Sequence, residues 1–198
     1  MGKLTTYTFL TLDGVMQGPG HPDEDRRGGF AYGGWAGRFA DEVIGNAAAE
    51  GMARDDALLF GRRTYEDFYA FWPNAPQPNP FTDVLNRADK YVASTTLEEP
   101  LPWENSTLLK GDAAQAVAEL KARLDKDIVI LGSGDLIQRL MPDNLIDEFT
   151  LLMHPVVFGT GRRLFEHGIP AGELKLVDTK TSTTGVIIAR YQPTKWTG

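Results

Sequence analysis

The sequence predicts a single α/β domain whose sheet is mainly parallel, with an antiparallel edge near the C-terminus. In the first two thirds of the chain, short apolar segments alternate with segments of helical period. In the last third, three strand-like segments follow one another without intervening helices. Alternation is typical of a parallel sheet covered by helices, and successive strands are typical of antiparallel pairing.

The elements of the first part follow from apolar patterning and chain breakers. Residues 4–12 are rich in Thr, Tyr, Phe and Leu and end at Asp13-Gly14, which predicts a strand and a turn. Residues 15–37 form a long glycine-rich connection, and loops of that length are usually functional lids or disordered. Residues 39–54 carry an apolar stripe of helical period. Residues 57–61 are a short apolar strand of the kind that parallel sheets bury on both faces.

The later elements follow the same logic. Four prolines within residues 72–81 argue against regular structure there. Asp112 is a candidate N-cap for the helix that follows it. The last two strands predict a hairpin that turns at Thr184-Gly185. The remaining predictions are helices at 64–71, 81–87, 113–124 and 136–141 and strands at 90–94, 107–110, 127–131, 146–158, 173–181 and 185–192.

The composition is that of an ordinary globular domain. Of the 198 residues, 42% are hydrophobic and 24% are charged, which suffices for one well-filled core. No apolar segment reaches the roughly 20 residues needed to cross a bilayer, and the N-terminus lacks a signal-peptide pattern, so we expect a cytoplasmic protein. We expect the domain to cover residues 1–193, with residues 194–198 as a tail.

Charge and residue usage narrow the functional classes. A net charge of −7 argues against general binding to nucleic acid or to anionic membranes. The absence of cysteine excludes disulfides, thiolate catalysis and cysteine-ligated metals. His21, His154 and His167 show no i, i+4 pairing, so we expect no metal site. The expected partner is a small molecule, and an anionic one requires local positive charge.

The junction LLFGRRTYEDF combines a glycine with two cations. Gly61 lets the backbone turn closely, and the unpaired amides of the first helical turn form an anion site together with the helix dipole. Thr64 is a candidate N-cap, with Asp67 completing an imperfect capping box. Capping does not explain Arg62 and Arg63, because cations at a helix N-terminus oppose the dipole unless an anion lies between them. The junction therefore predicts a phosphate site.

A second junction, ILGSGDLIQ, places Gly132, Ser133 and Gly134 directly after a buried strand. It matches only half of the G-x-G-x-x-G pattern because Ile137 occupies the third glycine position, and no Lys-Ser/Thr follows as a Walker loop requires. What remains is a glycine-lined turn that can approach a pyrophosphate or a flat ring. Two such junctions in one sheet can hold a dinucleotide phosphorylated on its adenosine ribose, so the expected cofactor is NADPH in preference to NADH.

Five motifs occur in order along the chain: TLDG, LLFGRRTYE, KYVAST, ILGSGDLIQ and HPVVFGTGRRLF. This set resembles the dihydrofolate-reductase-like superfamily, and more closely the reductase domain of riboflavin-biosynthesis deaminase-reductases and their stand-alone relatives. The match covers the chain to about Pro193. The resemblance implies a three-layer sandwich with a mainly parallel sheet of about eight strands, and an NADPH-dependent reductase that is often a homodimer.

The resemblance also implies roles for residues on the adenosine side of the cofactor. The segment 61–64 would hold the adenosine-side phosphates, with Arg62 or Arg63 on the ribose phosphate. Ser94 and Thr95, at the end of their strand, would add hydroxyl contacts to the same region.

On the other side, the resemblance implies that Leu131, Gly132, Ser133, Gly134 and Leu136 line the pyrophosphate and the nicotinamide. Dihydrofolate reductases carry adjacent glycines joined by a cis bond at this position. Here the pair is Gly132-Ser133, and a cis bond before a non-proline residue costs roughly 3 kcal/mol.

Hydride transfer usually needs a proton donor beside the atom that gains charge. The resemblance places a carboxylate at the start of the helix after the long loop, where Asp41 and Glu42 stand. It does not choose between them, and a solvated helix-start carboxylate is an equal alternative. Asp13 is a substrate-side candidate, although organisation of its turn explains it better. Trp35, in the lid, can stack on a planar substrate or anchor the loop by packing.

The expected function is hydride transfer from NADPH to a small planar heterocycle or carbonyl compound, of pteridine or pyrimidine type. One alternative is a non-catalytic NADPH-binding or sensor protein. Another is 5-amino-6-(5-phosphoribosylamino)uracil reductase, which is disfavoured because the sequence has no deaminase domain and no evident substrate-phosphate site. Arg162 and Arg163 are candidates for that phosphate site, but surface charges around a glycine turn are the favoured interpretation.

Overall fold

The computed structural model of the chain describes residues 2–166 and 168–197, so Met1, His167 and Gly198 lie outside the described part. The strands are β1 (Leu4–Thr11), β2 (Ala57–Gly61), β3 (Lys90–Ala93), β4 (Ser106–Leu109), β5 (Ile128–Leu131), β6 (Glu148–His154), β7 (Ala171–Thr181) and β8 (Ile187–Thr197). The helices are α1 (Glu42–Met52), α2 (Arg62–Phe71), α3 (Pro80–Arg87), α4 (Ala113–Arg123) and α5 (Gly134–Leu140).

The eight strands form one sheet in the order β4-β3-β2-β5-β1-β6-β8-β7. Every pairing from β4 to β6 is parallel, whereas β8 pairs antiparallel with β6 and with β7. The predicted α/β class, with an antiparallel C-terminal edge, is confirmed. No helix within the described ranges is long and apolar enough to cross a membrane.

Strand β2 shows how the sheet is covered on both faces. Ala57 and Leu59 pack in one core cluster with residues of α4 and α5, whereas Leu58 and Phe60 pack in a second cluster with residues of α2 and α3. Successive side chains of a strand point to opposite faces, so helices cover both sides of the sheet. Helix α1 lies on the side of α2, because Tyr7 contacts the clusters beneath both helices. The result is the predicted three-layer sandwich.

Side-chain caps explain two of the helix starts. Asp112 caps α4 as predicted, and its Oδ1 accepts a backbone N–H from three residues on at 3.0 Å. Asn79 caps α3, which begins at Pro80 because a proline needs no N–H partner in the first helical turn. The expectation that residues 72–81 lack regular structure is therefore confirmed for residues 75–79 and wrong at both ends, where Trp72–Asn74 forms a 3-10 turn and α3 begins.

The last strand is longer than predicted. β8 continues to Thr197, so residues 194–197 belong to the sheet and do not form a tail. Trp196 explains the extension, since its side chain is buried in the main core with its ring centroid 6.1 Å from that of Phe149. Burial of a large aromatic side chain contributes about 2 to 3 kcal/mol, which favours pairing of the terminal residues.

Candidate functional site

A cleft of about 1070 Å³ opens at the carboxyl ends of β2, β3 and β5, where parallel sheets usually bind ligands. Ligand pockets typically measure roughly 300 to 1,000 Å³, so the cleft has room for an extended ligand. All eleven residues predicted to contact a cofactor line it, namely Gly61, Arg62, Arg63, Thr64, Ser94, Thr95, Leu131, Gly132, Ser133, Gly134 and Leu136. The structure brings them together, and cofactor binding by them stays a prediction.

The two predicted junctions are in direct contact because β2 and β5 are neighbours in the sheet. The Gly61 amide donates a hydrogen bond of 2.9 Å to Ser133 Oγ. Gly132 lies against Thr64, since a Cβ atom on this glycine would lie 3.2 Å from the threonine methyl group. Gly132 also has a φ of +62°, which favours glycine. The two turns therefore form one continuous surface.

Ser133 departs from the pattern of dihydrofolate reductases. The cis peptide bonds in the described chain precede Pro78 and Pro100, so the Gly132-Ser133 bond is trans. Ser133 has a left-handed backbone, with φ of 58° and ψ of 49°. This conformation is uncommon for residues other than glycine. The Ser133 hydroxyl accepts from Gly61 and lies 3.4 Å from the Leu131 carbonyl oxygen, so it serves the contact between the turns.

Helix α2 begins two residues earlier than predicted, and Thr64 is not its N-cap. Gly61 occupies the N-cap position, and no side chain accepts a hydrogen bond from the first-turn amides. Glycine has no side-chain oxygen, so these amides stay available to an anion. Arg62 pairs with Glu66 at 2.9 Å, whereas exposed Arg63 has no ion pair within the described ranges. Arg63 is thus the less engaged of the two cations.

The cleft concentrates positive charge in an acidic chain. Although the net charge of the protein is −7, arginines outnumber carboxylates around the cleft by seven to five. A cleft with low-dielectric walls focuses such charge and attracts anions. The arginines are Arg27, Arg54, Arg62, Arg63, Arg139, Arg162 and Arg163, and the carboxylates are Glu24, Asp25, Asp56, Asp67 and Asp135.

Arg162 and Arg163 were expected at the surface, but both line the cleft. Arg162 forms an ion pair with Asp135, and Arg163 Nε donates to the Asp13 carbonyl oxygen at 2.8 Å. Both guanidinium groups are therefore engaged within the protein. The two side chains are 39% and 38% exposed, so they are surface charges that also line the cleft, because their turn folds back onto the loop after β1, where Val15 forms a bridge with Arg163.

Asp13 organises its turn and is not among the described residues that line the cleft. Its carboxylate accepts from Thr11 Oγ1 at 2.6 Å and from the Gly159 amide at 2.8 Å. Burial acts to raise the pKa of Asp13, but these hydrogen bonds and one from the Phe158 amide outweigh it, so the pKa lies below its usual value. The residue stays ionised, which suits a structural acceptor.

Asp41 and Glu42 also lie outside the described lining of the cleft. Asp41 is the N-cap of α1, where its Oδ1 accepts the Ile44 amide at 2.9 Å. Its Oδ2 accepts the Thr183 amide and hydroxyl at 2.6 and 2.8 Å, which ties α1 to the β7–β8 turn. The Ile44 amide, followed by the Thr183 contacts, holds the pKa of Asp41 below its usual value despite some desolvation. Its geometry is that of a structural cap, in which aspartate is favoured.

Trp35 anchors the lid, the segment of residues 15–37, by packing. It is buried, its Nε1 donates to the Gln17 carbonyl oxygen at 2.8 Å, and its ring meets that of His154 edge-on at 5.0 Å.

Gln17 connects the lid to two other segments by hydrogen bonds. Its side chain donates to the Arg27 carbonyl oxygen at 2.9 Å and accepts the Arg162 amide at 3.0 Å. Sequence reasoning missed Gln17 because one glutamine in a glycine-rich loop forms no pattern.

Two carboxyl groups that the sequence did not single out as proton donors, Glu24 and Asp67, line the cleft where the lid meets α2. Burial raises the pKa of Glu24, although the Gly20 and His21 amides lower it in part. Burial likewise raises the pKa of Asp67. The His21 ring stacks on that of Phe71 at 4.8 Å, so the lid rests on α2 at this point.

Another part of the cleft lining is apolar and is formed by side chains of α1, β1, α2 and the 3-10 turn that follows α2. It includes Ile44, Ala48, Met52, Phe68, Phe71, Trp72, Tyr7 and Phe9. Helical spacing was visible in the sequence, but it does not distinguish a pocket wall from an ordinary core face. We call this region the apolar half and the two glycine turns with their arginines the basic half. Across the described ranges, no group of His, Asp and Glu side chains could hold a metal ion.

The strand order and the three layers are those of the dihydrofolate-reductase-like fold. The chain belongs to the RibD C-terminal domain family, whose model matches residues 2–188. It is 31% identical to the uncharacterized protein YyaP of Bacillus subtilis (strain 168) over 147 residues, which cover 72% of this chain and 75% of YyaP.

Two solved structures share the fold at low sequence identity. A putative riboflavin biosynthesis protein from Shewanella sp. PV-4 superposes with a TM-score of 0.73 at 21% identity, covering 98% of this chain and 100% of the other. Dihydrofolate reductase from Enterococcus faecalis, complexed with NADP(H) and RAB-propyl, superposes with a TM-score of 0.60 at 14% identity, with 98% of each chain covered. The resemblance stated from the sequence motifs is confirmed.

Proposed function

We propose that this protein is an NADPH-dependent reductase that delivers hydride to a small planar heterocycle or carbonyl compound. The observation that carries the proposal is the contact between the two glycine turns, beside helix amides without a side-chain cap and an Arg63 that has no ion pair among the described residues. Family membership supports a reductase, and the E. faecalis enzyme of the same fold is complexed with NADP(H).

The residues of the basic half fit a phosphorylated dinucleotide. The amides at the start of α2 and the Arg63 guanidinium offer two kinds of donor to the phosphate on the adenosine ribose. Ser94 Oγ accepts the Thr96 and Leu97 amides at 3.1 Å each, and its O–H can donate either to Thr96 Oγ1 at 3.5 Å or to a ligand. Gly132 keeps the second turn clear of side-chain atoms. NADPH, when bound, supplies the hydride.

The apolar half is suited to hold the acceptor and to exclude water. Aromatic side chains such as Phe68 and Trp72 offer flat surfaces to a planar ring, and the surrounding aliphatic residues remove competing hydrogen-bond partners. Exclusion of water strengthens the electrostatic interactions within the site. The lid lies against α2 through the His21 and Phe71 rings and covers part of this region.

Titration with NADPH and with NADH, followed by nucleotide fluorescence, tests the cofactor. We expect NADPH to bind about ten- to a hundredfold more tightly, because a charge-assisted arginine–phosphate contact contributes about 1.5 to 3 kcal/mol. Equal affinities, or no binding of either nucleotide, would contradict the assignment. Oxidation of NADPH with a panel of pterins, flavin precursors and quinones then separates an enzyme from a non-catalytic binding protein.

A further inference from the structure

Tyr7 occupies a central position on the floor of the cleft. It lies on β1, paired in register with Leu131 of β5 and Thr150 of β6. Leu131 directly precedes the second glycine turn, so Tyr7 stands beside the boundary between the basic and apolar halves. No sequence motif pointed to this residue, because a tyrosine in a strand has the appearance of an ordinary core side chain.

The Tyr7 ring connects the two apolar clusters beneath the neighbouring helices. It packs on the cluster under α2 and α3, which contains Phe60 and Leu85, and on the cluster next to α1, which contains Leu152 and Ile188. Helices α1 and α2 carry most of the side chains that line the apolar half. A ligand held between α1 and α2 therefore rests above the Tyr7 ring.

The phenol oxygen of Tyr7 is buried and has no hydrogen-bond partner among the described residues. Tyr65, a buried tyrosine of α2, shows the usual arrangement: its oxygen accepts the Trp103 amide at 3.0 Å and lies 3.3 Å from Ser106 Oγ. Buried phenols normally have a partner, because an unpaired hydroxyl in an apolar environment is unfavourable. Burial also raises the pKa of Tyr7 to about 12, so its hydroxyl carries a proton at neutral pH.

We propose that Tyr7 donates its phenol hydrogen to a carbonyl oxygen or ring nitrogen of a flat, uncharged ligand held between α1 and α2. This inference rests on the proposed function, since that ligand is the substrate class of the same cleft. The flat shape follows from the aromatic walls. The lack of charge follows from the burial of the phenol oxygen in a ring packed on apolar side chains, because an unpaired charge is costly in such an environment.

The environment makes this single donor effective. The phenol oxygen is buried and the ring packs on apolar side chains, so a ligand reaches the oxygen only by displacing part of its cover. A hydrogen bond formed there is protected from water and is stronger than one at the surface. A ligand without an acceptor at this point leaves the phenol unpaired, so Tyr7 selects for carbonyl or imine compounds.

Calorimetric titration with lumazine, an uncharged flat pteridine-dione at pH 6, tests the proposal in the full chain without nucleotide. We expect Tyr7→Phe to bind lumazine about tenfold more weakly than the wild type, with a melting temperature that is unchanged or higher because an unpaired hydroxyl is removed. Equal affinity of the two proteins, or no binding by the wild type, would overturn the proposal.

Tyr65→Phe is the matched control. It loses paired hydroxyl contacts outside the cleft, so its melting temperature should fall while lumazine affinity stays at the wild-type value. If Tyr65→Phe weakens lumazine as much as Tyr7→Phe does, the effect is structural and the role of Tyr7 is rejected. NADPH titration of the same proteins is read separately, since its failure would contradict the proposed cofactor and leave the lumazine comparison intact.

Discussion

The basic and apolar halves of the cleft are built in different ways. The basic half consists largely of consecutive residues at strand ends, in which backbone amides and a few arginines carry the chemistry. The apolar half is assembled from side chains of β1, α1 and α2 together with the lid, which are far apart in the sequence. A local motif can therefore specify a cofactor surface, whereas a substrate surface depends on tertiary packing.

The basic half is tested most strongly by separating its two arginines. We expect Arg63→Ala to weaken NADPH binding by about ten- to a hundredfold and NADH binding little, because Arg63 has no competing ion pair in the part of the chain that the structure describes. Arg62→Ala should have an effect of only a few fold, since Glu66 already holds that guanidinium. Fluorescence titration of both nucleotides measures the difference.

Glu66→Ala provides the control for this comparison. It frees Arg62 from its partner at 2.9 Å, so Arg62 should gain influence on NADPH in that background. A larger loss from Arg62→Ala than from Arg63→Ala in the wild-type chain would reverse the assignment. Equal losses for NADPH and NADH in both variants would show that neither arginine contacts the ribose phosphate.

The contact between the two turns is tested at Ser133. Ser133→Ala leaves the Gly61 amide without its partner, which we expect to lower stability by about 1 to 2 kcal/mol and NADPH affinity several fold. Ser133→Gly loses the same hydrogen bond but removes the left-handed strain at φ of 58°, so it should be more stable than the alanine variant by about 1 kcal/mol.

Urea unfolding and NADPH titration together measure both effects of these Ser133 variants. Stability restored in Ser133→Gly while affinity stays low would show that the hydroxyl positions the turns. If both variants bind NADPH like the wild type, the Gly61 contact does not shape the site.

The motif at β2 and α2 shows what the sequence could predict. A glycine after an apolar strand, followed by arginines, has a local physical meaning, so the region of residues 61–64 was located without tertiary information. The predicted start of α2 and the predicted capping role of Thr64 were wrong, because Gly61 occupies the N-cap position without a side chain that could accept a hydrogen bond. The left-handed conformation of Ser133 could not be predicted either. Its hydroxyl accepts a hydrogen bond from the Gly61 amide, which lies 72 residues away in the sequence.

Asp41 and Tyr7 show why the apolar half could not be predicted. A carboxylate at a helix start fits both a cap and an acid, and only the structure shows that one oxygen of Asp41 accepts the Ile44 amide while distant Thr183 occupies the other. Tyr7 becomes noticeable only when the absence of a partner for its oxygen is known within the described structure. Neither fact has a signature in local sequence, because both depend on what the fold brings near.

The lid over the apolar half provides the smallest expected effect. Burial raises the pKa of Glu24, so the folded chain holds this proton more firmly than the unfolded chain does. Its contribution to stability is therefore full below the ordinary pKa of glutamate and is lost as pH rises through the raised value.

Glu24→Gln keeps an oxygen acceptor for the Gly20 and His21 amides without the charge. We expect it to exceed the wild type in stability at pH 7.5 by less than about 1 kcal/mol, and the gap to close at pH 5. Urea unfolding at both pH values measures this difference in the free energy of unfolding, with exposed Glu98→Gln as the control. A difference that stays constant with pH would show that the stability of the lid does not depend on the Glu24 carboxyl group.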